Sequence, residues 1–330
     1  MVVRLRLCVI LLALVPAAAC QAQPTAGDRN PPLVLERTIP LNGVRGRIDH
    51  LAIDNEHRRL FVAELGNGSV EAFDLIRGTS LGRIADLKEP QGIAYLPARD
   101  ELAVASGGDG TVRFYRAADL VQVGIVELGA DADNVRTDPR SGRVVVGYGA
   151  GALAVIDPET RKVVARLALP AHPEAFRLDG DRVFVNVPDA RRIVTGDLAS
   201  QSITATWVAA HGWNFPMAFD PASNTLAVVY RLPARLQILA GSGAVKADTP
   251  TCGNADDVFF DAPRQRLYVI CGAGEIDVIG MGSYAHLARI KTRPGARTGL
   301  FAPELDRLFV ASRAGPGGTD AAIEIYRPQP

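Results

Sequence analysis

The chain has 330 residues, of which 48 % are hydrophobic and 22 % charged, with 36 basic and 36 acidic side chains. This is the composition of a globular protein with a large core, and its length allows one to three domains. No basic block or stripe occurs in the sequence, so nucleic-acid binding has no electrostatic support.

The first twenty residues have the features of a secretory signal. Arg4 and Arg6 precede an apolar run from Leu7 to Val15, and small residues follow as far as Cys20. The run is too short to span a bilayer, which requires about 20 apolar residues. We therefore predict residues 1–20 to be a signal peptide and the protein to be exported.

Two modes of cleavage fit the end of this segment. Ala-Ala-Cys matches lipoprotein processing, in which Cys20 becomes the lipidated first residue, and Gln21 after it favours the outer membrane. However, Ala17 stands where such signals usually carry leucine. Cleavage near Ala19 or Ala22 would instead give a free periplasmic or secreted protein, without membrane contact. Residues 21–32, rich in proline, glycine and polar residues, are predicted to be a flexible linker.

A repeat of about 41 residues fills the remainder of the chain. Seven short runs share a basic, polar or turn residue, then Leu or Val, then Val, Phe, Tyr or Ala. The Leu or Val stands at positions 60, 102, 144, 183, 226, 267 and 308, with spacings of 42, 42, 39, 43, 41 and 41 residues. So constant a period predicts seven copies of one structural unit.

Each repeat contains four strand signals in the same order. In the first repeat, strand A is His50–Asp54, strand B carries Leu60, and the Asn67-Gly68 turn leads to strand C. Strand D follows at Leu81–Ile84. Four antiparallel strands in about 41 residues form one propeller blade. Residues 33–330 are therefore predicted to be an all-β, seven-bladed β-propeller.

The seventh repeat lacks its fourth strand, because the chain ends shortly after Ala322–Tyr326. A strand signal remains at the other end of the chain, in Leu33–Thr38. We predict that this N-terminal strand completes the last blade and closes the ring, which removes exposed sheet edges.

Two cysteines belong to the folded part, Cys252 and Cys271. In the register of the repeat, Cys252 stands just before strand A of the sixth blade and Cys271 ends strand B of the same blade, so the two positions are neighbours. In an oxidising compartment this geometry favours a disulfide, and the alternative is a pair of buried free thiols.

The strand-B segments, such as Arg-Leu-Phe-Val-Ala-Glu from Arg59, resemble the YVTN-repeat family of bacterial β-propellers, the YncE-like exported proteins. The segment Asp-Pro-Glu-Thr-Arg-Lys-Val from Asp157 is similar to the turn between strands C and D in that family. The resemblance covers residues 33–330. It implies the propeller fold and export, and it implies no particular reaction.

In a propeller, the residues that enter the innermost strands surround one mouth of the central channel. The first such column is Asp49, Gln91, Asp133, Glu174, Phe215, Asp256 and Arg297. The second is His50, Gly92, Asn134, Ala175, Pro216, Asp257 and Thr298. His172 and Asn214 stand just upstream of strand A in their repeats.

A ring of converging carboxylates, with one arginine and two histidines, is of the type that binds a cation or a polar small molecule. The predicted ligand-binding residues are Asp49, His50, Gln91, Asp133, Asn134, Glu174, Asn214, Asp256, Asp257 and Arg297. Calcium is a possible cofactor, and its candidate ligands are Asp49, Asp133, Glu174 and Asp256. A seven-fold ring is wide for one ion, and turn residues at a hydrated channel mouth need no ligand at all.

Two functions of different class follow from this ring. The first is a non-catalytic binding or scaffold module of the cell envelope, a monomer whose mouth takes a small molecule, a cation or a segment of an envelope protein. The alternative is a periplasmic hydrolase of the lactone type. There Glu174, Asp256 or His172 would act as general base on water and Arg297 would stabilise the oxyanion.

Overall fold

The computed structural model describes residues 31–315 and 318–330. It contains seven four-stranded antiparallel sheets, one for each repeat, which confirms the predicted all-β, seven-bladed propeller. The predicted signal peptide, Cys20 and all but the last two residues of the predicted linker lie outside the described residues. In the described part of the chain no helix is both long enough and apolar enough to cross a bilayer.

Strands are numbered in chain order, and each blade runs from the innermost strand to the outermost. The N-terminal strand is β1 (Leu33–Leu41). Blade 1 contains β2 (Leu51–Asp54), β3 (Arg59–Glu64), β4 (Ser69–Asp74) and β5 (Thr79–Ile84). Blade 2 contains β6 (Pro90–Leu96), β7 (Glu101–Ser106), β8 (Thr111–Arg116) and β9 (Gln122–Glu127). Blade 3 contains β10 (Ala132–Thr137), β11 (Val144–Tyr148), β12 (Ala152–Asp157) and β13 (Lys162–Ala168).

The later blades repeat this order. Blade 4 contains β14 (Phe176–Asp179), β15 (Arg182–Val187), β16 (Arg192–Asp197) and β17 (Ser202–Val208). Blade 5 contains β18 (Gly212–Asp220), β19 (Thr225–Leu232), β20 (Ala234–Ala240) and β21 (Val245–Pro250). Blade 6 contains β22 (Ala255–Asp261), β23 (Arg266–Cys271), β24 (Glu275–Gly280) and β25 (His286–Lys291). Blade 7 contains β26 (Thr298–Ala302), β27 (Arg307–Ser312) and β28 (Ala321–Pro328). Three single-turn 3₁₀ helices lie at Leu65–Asn67, Pro97–Arg99 and Pro303–Leu305.

Blade 7 is completed by β1, as the sequence predicts. The strand pairs antiparallel with β28, from Leu33 opposite Pro328 to Leu41 opposite Ala321. The two ends of the propeller are thereby held in one sheet, and the ring has no open edge at the point of closure.

The core is divided into seven apolar layers, each between two neighbouring blades. Phe61 and Val70 of blade 1, for example, pack with Ile93 and Leu102 of blade 2. The second strand of each blade lies between two such layers, and all six residues of β3 are buried. This two-sided burial explains the continuous apolar runs by which the repeat is recognised.

Cys252 and Cys271 form a disulfide whose Cα atoms are 5.8 Å apart. Cys252 lies just before β22, and Cys271 is the last residue of β23, the neighbouring strand of the same blade. The bridge therefore joins the loop that enters blade 6 to the sheet of that blade.

Candidate functional site

A cavity of about 410 Å³ opens at the end of the channel where the innermost strands begin. Its lining carries seven carboxylates, four guanidinium groups and two imidazoles. The whole first predicted column lines it: Asp49, Gln91, Asp133, Glu174, Phe215, Asp256 and Arg297. Four further predicted residues also line it: His50, Asn134, His172 and Asp257. The fold thus brings all but one of the predicted site residues together.

The exception is Asn214, which the sequence places at the mouth. Its side chain is fully buried, and its amide donates hydrogen bonds to Asn186 Oδ1 (3.2 Å) and to the carbonyl of Arg192 (2.9 Å). The innermost strand of blade 5 begins early, at Gly212, so Asn214 is already paired within the sheet, opposite Tyr230. Asn214 therefore links blades 4 and 5 and lies outside the cavity lining.

An irregularity of strand pairing recurs at the cavity end of four innermost strands. The pairing of strands A and B shifts register at the beginning of blades 2, 3, 5 and 6, as between Ala132 and Val135 in blade 3. Such bulges leave residues unpaired and turn their side chains out of the regular alternation. In blade 3 the residues so released are Asp133 and Asn134.

Gly92 has a steric role near the beginning of the innermost strand of blade 2. A Cβ atom there would collide with the carbonyl oxygen of Asp133 in the next blade. Only glycine allows the two innermost strands to approach this closely.

One arc of the mouth is built around Asp256. Each of its two carboxylate oxygens is ion-paired with an arginine. Oδ1 contacts Arg231 Nη2, and Oδ2 lies 2.6 Å from Arg297 Nε. Arg231 also donates to the carbonyl of Ala255 (2.8 Å), and its guanidinium lies over the Phe215 ring at 3.9 Å from the centroid. This basic arc carries two positive charges for one negative charge, and its groups hold one another in place.

The opposite arc, on blades 3 and 4, is acidic and much less paired. Asp133 is 8 % exposed, and its nearest cationic atom among the described residues is His172 Nε2, at 3.9 Å. The Glu174 side chain lines the cavity and makes no hydrogen bond or ion pair within residues 31–315 and 318–330. This acidic arc therefore presents carboxylates whose acceptor capacity the protein itself does not use.

The pKa values of Glu174 and His172 reflect the high density of negative charge in the acidic arc. Burial, together with repulsion from Asp133 and Asp256, raises the pKa of Glu174 to about 8. The nearby Asp133 carboxylate raises the pKa of His172 to about 9, assisted by the Gly149 carbonyl, which the Nδ1 atom contacts at 2.6 Å. At neutral pH His172 is thus an imidazolium among carboxylates.

Asp49 lies between the two arcs. Arg47 Nη2 is 2.9 Å from its Oδ2 atom, yet burial and repulsion from Asp133 and Asp256 raise its pKa to about 7. Burial lowers the pKa of the adjacent His50. These residues extend the field of the acidic arc towards blade 1.

Metal coordination requires ligand atoms that can meet at one point. The mouth carboxylates predicted as calcium ligands are Asp49, Asp133, Glu174 and Asp256. Among the described residues, the one group of three His, Cys, Asp or Glu side chains whose ligand atoms all lie within 4.8 Å of one another is Asp54, His57 and Asp100. In that group the positive charge of Arg59 already takes the place that a metal ion would have, because its Nη2 atom is 2.7 Å from Asp54 Oδ2. As placed, the mouth carboxylates are too far apart for one calcium ion to contact three of them.

Several cavity residues are not evident from the sequence. Arg47, Glu89, Asp131 and Arg231 reach the mouth from loops and from the end of a second strand, outside the aligned columns. Arg136 is different, because it stands on the innermost strand three residues after Asp133. Continuing the column alignment three residues further would have found it.

No protein-family model and no curated protein matches this sequence. The structure is similar to a chain in the crystal structure of the mitotic checkpoint complex, with a TM-score of 0.77 and 16 % sequence identity. The match covers 98 % of this chain and 99 % of that one. At this identity the likeness shows the fold alone and carries no information on what the cavity binds.

Proposed function

We propose that this propeller is a non-catalytic binding protein whose mouth takes the cationic group of a small polar molecule. The observation that carries the proposal is the state of Asp133. The residue is 8 % exposed and lines the cavity, and its one cationic neighbour within 4.0 Å among the described residues is His172, whose Nε2 atom is 3.9 Å from Oδ2. Buried carboxylates are normally paired at hydrogen-bond distance, so one that faces an open cavity with a single partner beyond that distance marks a place for a cationic ligand.

An organic ammonium group suits the acidic arc better than a bare metal ion. The ammonium has three N–H donors in divergent directions, so it can serve carboxylates that do not converge on one point. Calcium requires six to eight oxygens at 2.3–2.6 Å, a density of ligands that the spacing of these side chains does not provide.

The test is the binding of n-pentylamine and of CaCl₂, each measured by the shift in melting temperature at pH 8.5. A ligand at about 100 times its Kd adds about 2.7 kcal/mol to the free energy of unfolding, which raises the melting temperature by a few degrees. We expect this shift with the amine. We expect its loss in Asp133→Asn and in Glu174→Gln, because each removes one negative charge from the acidic arc.

The matched control is Glu159→Gln, an exposed carboxylate in the turn between β12 and β13. It should leave the amine-induced shift unchanged. A shift with calcium alone would contradict the ammonium proposal in favour of a metal site. No shift with either ligand would contradict a cationic ligand of any kind and direct attention to an envelope protein as partner.

A hydrolase of the lactone type is the second candidate, and one observation favours it. The raised pKa of Glu174, about 8, is in the range in which a carboxylate accepts protons efficiently at neutral pH. Two of the residues predicted to catalyse are less suitable, because His172 is protonated and both oxygens of Asp256 are ion-paired. Turnover of a lactone panel that is lost in Glu174→Gln would favour the enzyme, and absence of turnover would exclude this chemistry for the panel.

We also propose that the protein works in the cell envelope. The signal-like features of residues 1–20 and the resemblance to YVTN-repeat propellers support this location. Cell fractionation with labelled palmitate distinguishes the two processing modes. Label that is lost in Cys20→Ser indicates a lipoprotein, an unlabelled protein in the periplasm indicates the free form, and retention in the cytoplasm contradicts export.

A further inference from the structure

Two arginines lie on the innermost strands of consecutive blades, at the same position of the repeat. Arg136 in β10 and Arg177 in β14 each stand three residues after a carboxylate of the acidic arc. The other blades have small or apolar residues at this position: Ala52, Ala94, Ala218, Phe259 and Leu300. These residues pack into the apolar layers between the blades, as Ala52 does with Phe61 and Ala218 with Val229, so the two arginines are the exceptions at this position.

Neither arginine is paired with a carboxylate. Arg136 donates to the carbonyl of Val135 (2.7 Å) and to Asn134 Oδ1 (3.2 Å), and Arg177 donates to the carbonyl of Phe176 (2.8 Å). In residues 31–315 and 318–330 no carboxylate oxygen lies within 4.0 Å of either guanidinium, in contrast to the doubly paired Asp256 above them. Buried charges without a counter-ion are costly, so proteins usually pair them.

The two guanidinium groups also act on each other. Burial lowers the pKa of Arg177 to about 9, and repulsion from Arg136 adds to that effect. Burial likewise lowers the pKa of Arg136. Asp257 opposes both shifts and Asp133 opposes that of Arg136. One oxygen of Asp257 already accepts the Gly299 amide at 2.9 Å. An anion between the two arginines would supply the missing charge.

We propose that Arg136, which lines the cavity, forms a carboxylate-binding site together with Arg177 of the next blade, and that the ligand is dipolar. Its ammonium group lies in the acidic arc, and its carboxylate reaches down to the two arginines. The inference rests on the proposed function, because the same molecule occupies both places. Three residues of extended strand span roughly 10 Å, so the two charges of the ligand are separated by a short aliphatic chain.

The arginines of the mouth do not offer an equivalent site. Arg231 and Arg297 share Asp256, and Arg47 is paired with Asp49, so each of them already has a carboxylate as counter-ion. The carboxylates of the acidic arc also repel a ligand with only negative charges before it can reach the channel. A molecule with one positive and one negative charge can bind both the acidic arc and the two arginines.

The experiment compares δ-aminovalerate, n-pentylamine and glutarate, which share the same chain length and differ only in their end groups. Isothermal titration calorimetry of the purified protein at pH 8.5 gives the three affinities. We expect δ-aminovalerate to bind about tenfold or more tightly than pentylamine, the usual contribution of a charge-assisted pair, and glutarate not to bind.

The variants Arg136→Met and Arg177→Met test the lower site. Each should reduce the affinity for δ-aminovalerate to that for pentylamine and leave pentylamine binding unchanged. Each should also raise the melting temperature of the free protein, because an unpaired, half-buried charge is replaced by an apolar chain of similar length. Arg77→Met, at an exposed turn of blade 1, is the control and should change neither affinity.

The outcomes separate this inference from the proposed function. Equal binding of pentylamine and δ-aminovalerate, unaffected by Arg177→Met, would overturn the lower site and leave the cation site standing. Glutarate binding that is lost in Arg177→Met would overturn the dipolar ligand. Binding of none of the three would overturn both proposals.

Discussion

Aspartates lie at both ends of the innermost strands, and the two ends differ in how well their carboxylates are hydrogen-bonded. At the far end, Asp54 accepts the backbone amides of Glu56 and His57, both at 3.1 Å, and the Nε of Arg59 at 2.8 Å. At the cavity end, Asp133 has no hydrogen-bond donor among the described residues. The hydrogen bonds of Asp54 therefore stabilise the fold, whereas the carboxylate of Asp133 is available to a ligand.

The pKa values follow the same division. Burial alone would raise the pKa of Asp54, but the hydrogen bonds from the His57 amide and the Arg59 side chain outweigh burial and lower it. For Glu174 and Asp49 burial acts together with repulsion from other carboxylates, and their pKa values are raised. The comparison teaches that the balance between hydrogen bonds or opposite charges and neighbouring carboxylates, rather than burial or the place in a repeat, separates a structural acid from a candidate binding acid.

The largest expected effect is the loss of stability caused by a substitution at the end of the innermost strand that lies away from the cavity. Asp54→Asn removes the negative charge from a buried ion pair and weakens the acceptor of two turn amides. We expect a loss of about 3 kcal/mol in the free energy of unfolding, measured by urea denaturation. Asp133→Asn, the matched change at the mouth, should cause no loss. Equal destabilisation by the two changes would show that the mouth acid is as structural as Asp54.

The second effect is the pH dependence of stability. An acid whose pKa is higher in the folded than in the unfolded state stabilises the fold at low pH, and this stabilisation is lost as the pH rises through the folded value. Glu174 (about 8), Asp49 (about 7), Glu64 (about 7) and Asp257 (about 6) all act in this direction. The melting temperature without ligand should therefore fall between pH 5 and pH 8.5.

Glu174→Gln should reduce that fall, because it removes the group with the highest raised carboxyl pKa of the four. Calorimetric scans of both proteins at several pH values give the comparison. A melting temperature that rises from pH 5 to pH 8.5 would contradict the unpaired state of the mouth carboxylates.

The smallest effect is a local titration. His172 owes its raised pKa, about 9, chiefly to Asp133. In Asp133→Asn the pKa should move towards the ordinary histidine value of about 6.5, which NMR of the imidazole protons can follow. Glu159→Gln should leave the titration unchanged. An unaltered pKa in Asp133→Asn would show that the two side chains do not interact in solution.

The sequence predicts the fold from one kind of signal, the recurrence of buried second strands such as Arg59–Glu64. It also predicts the first column of the mouth, because the spacing of the repeat is regular enough to align the residues that precede or begin each innermost strand. It misplaces Asn214, since blade 5 begins its strand earlier than the repeat suggests. It does not find Arg231, which reaches the cavity from a second strand and belongs to no column.

What the sequence determines by itself is whatever repeats: the number of blades, the apolar layers between them and the closure by Leu33–Leu41. Periodic burial leaves a periodic pattern, so these features can be read directly from spacing. Pairing between charges leaves no such pattern. Asp256 is bound by two arginines, whereas Asp133 has only the more distant His172, and Arg136 and Arg177 have no carboxylate partner among the described residues. Which blades meet across the channel decides this pairing, and only the tertiary structure brings those side chains within reach of one another.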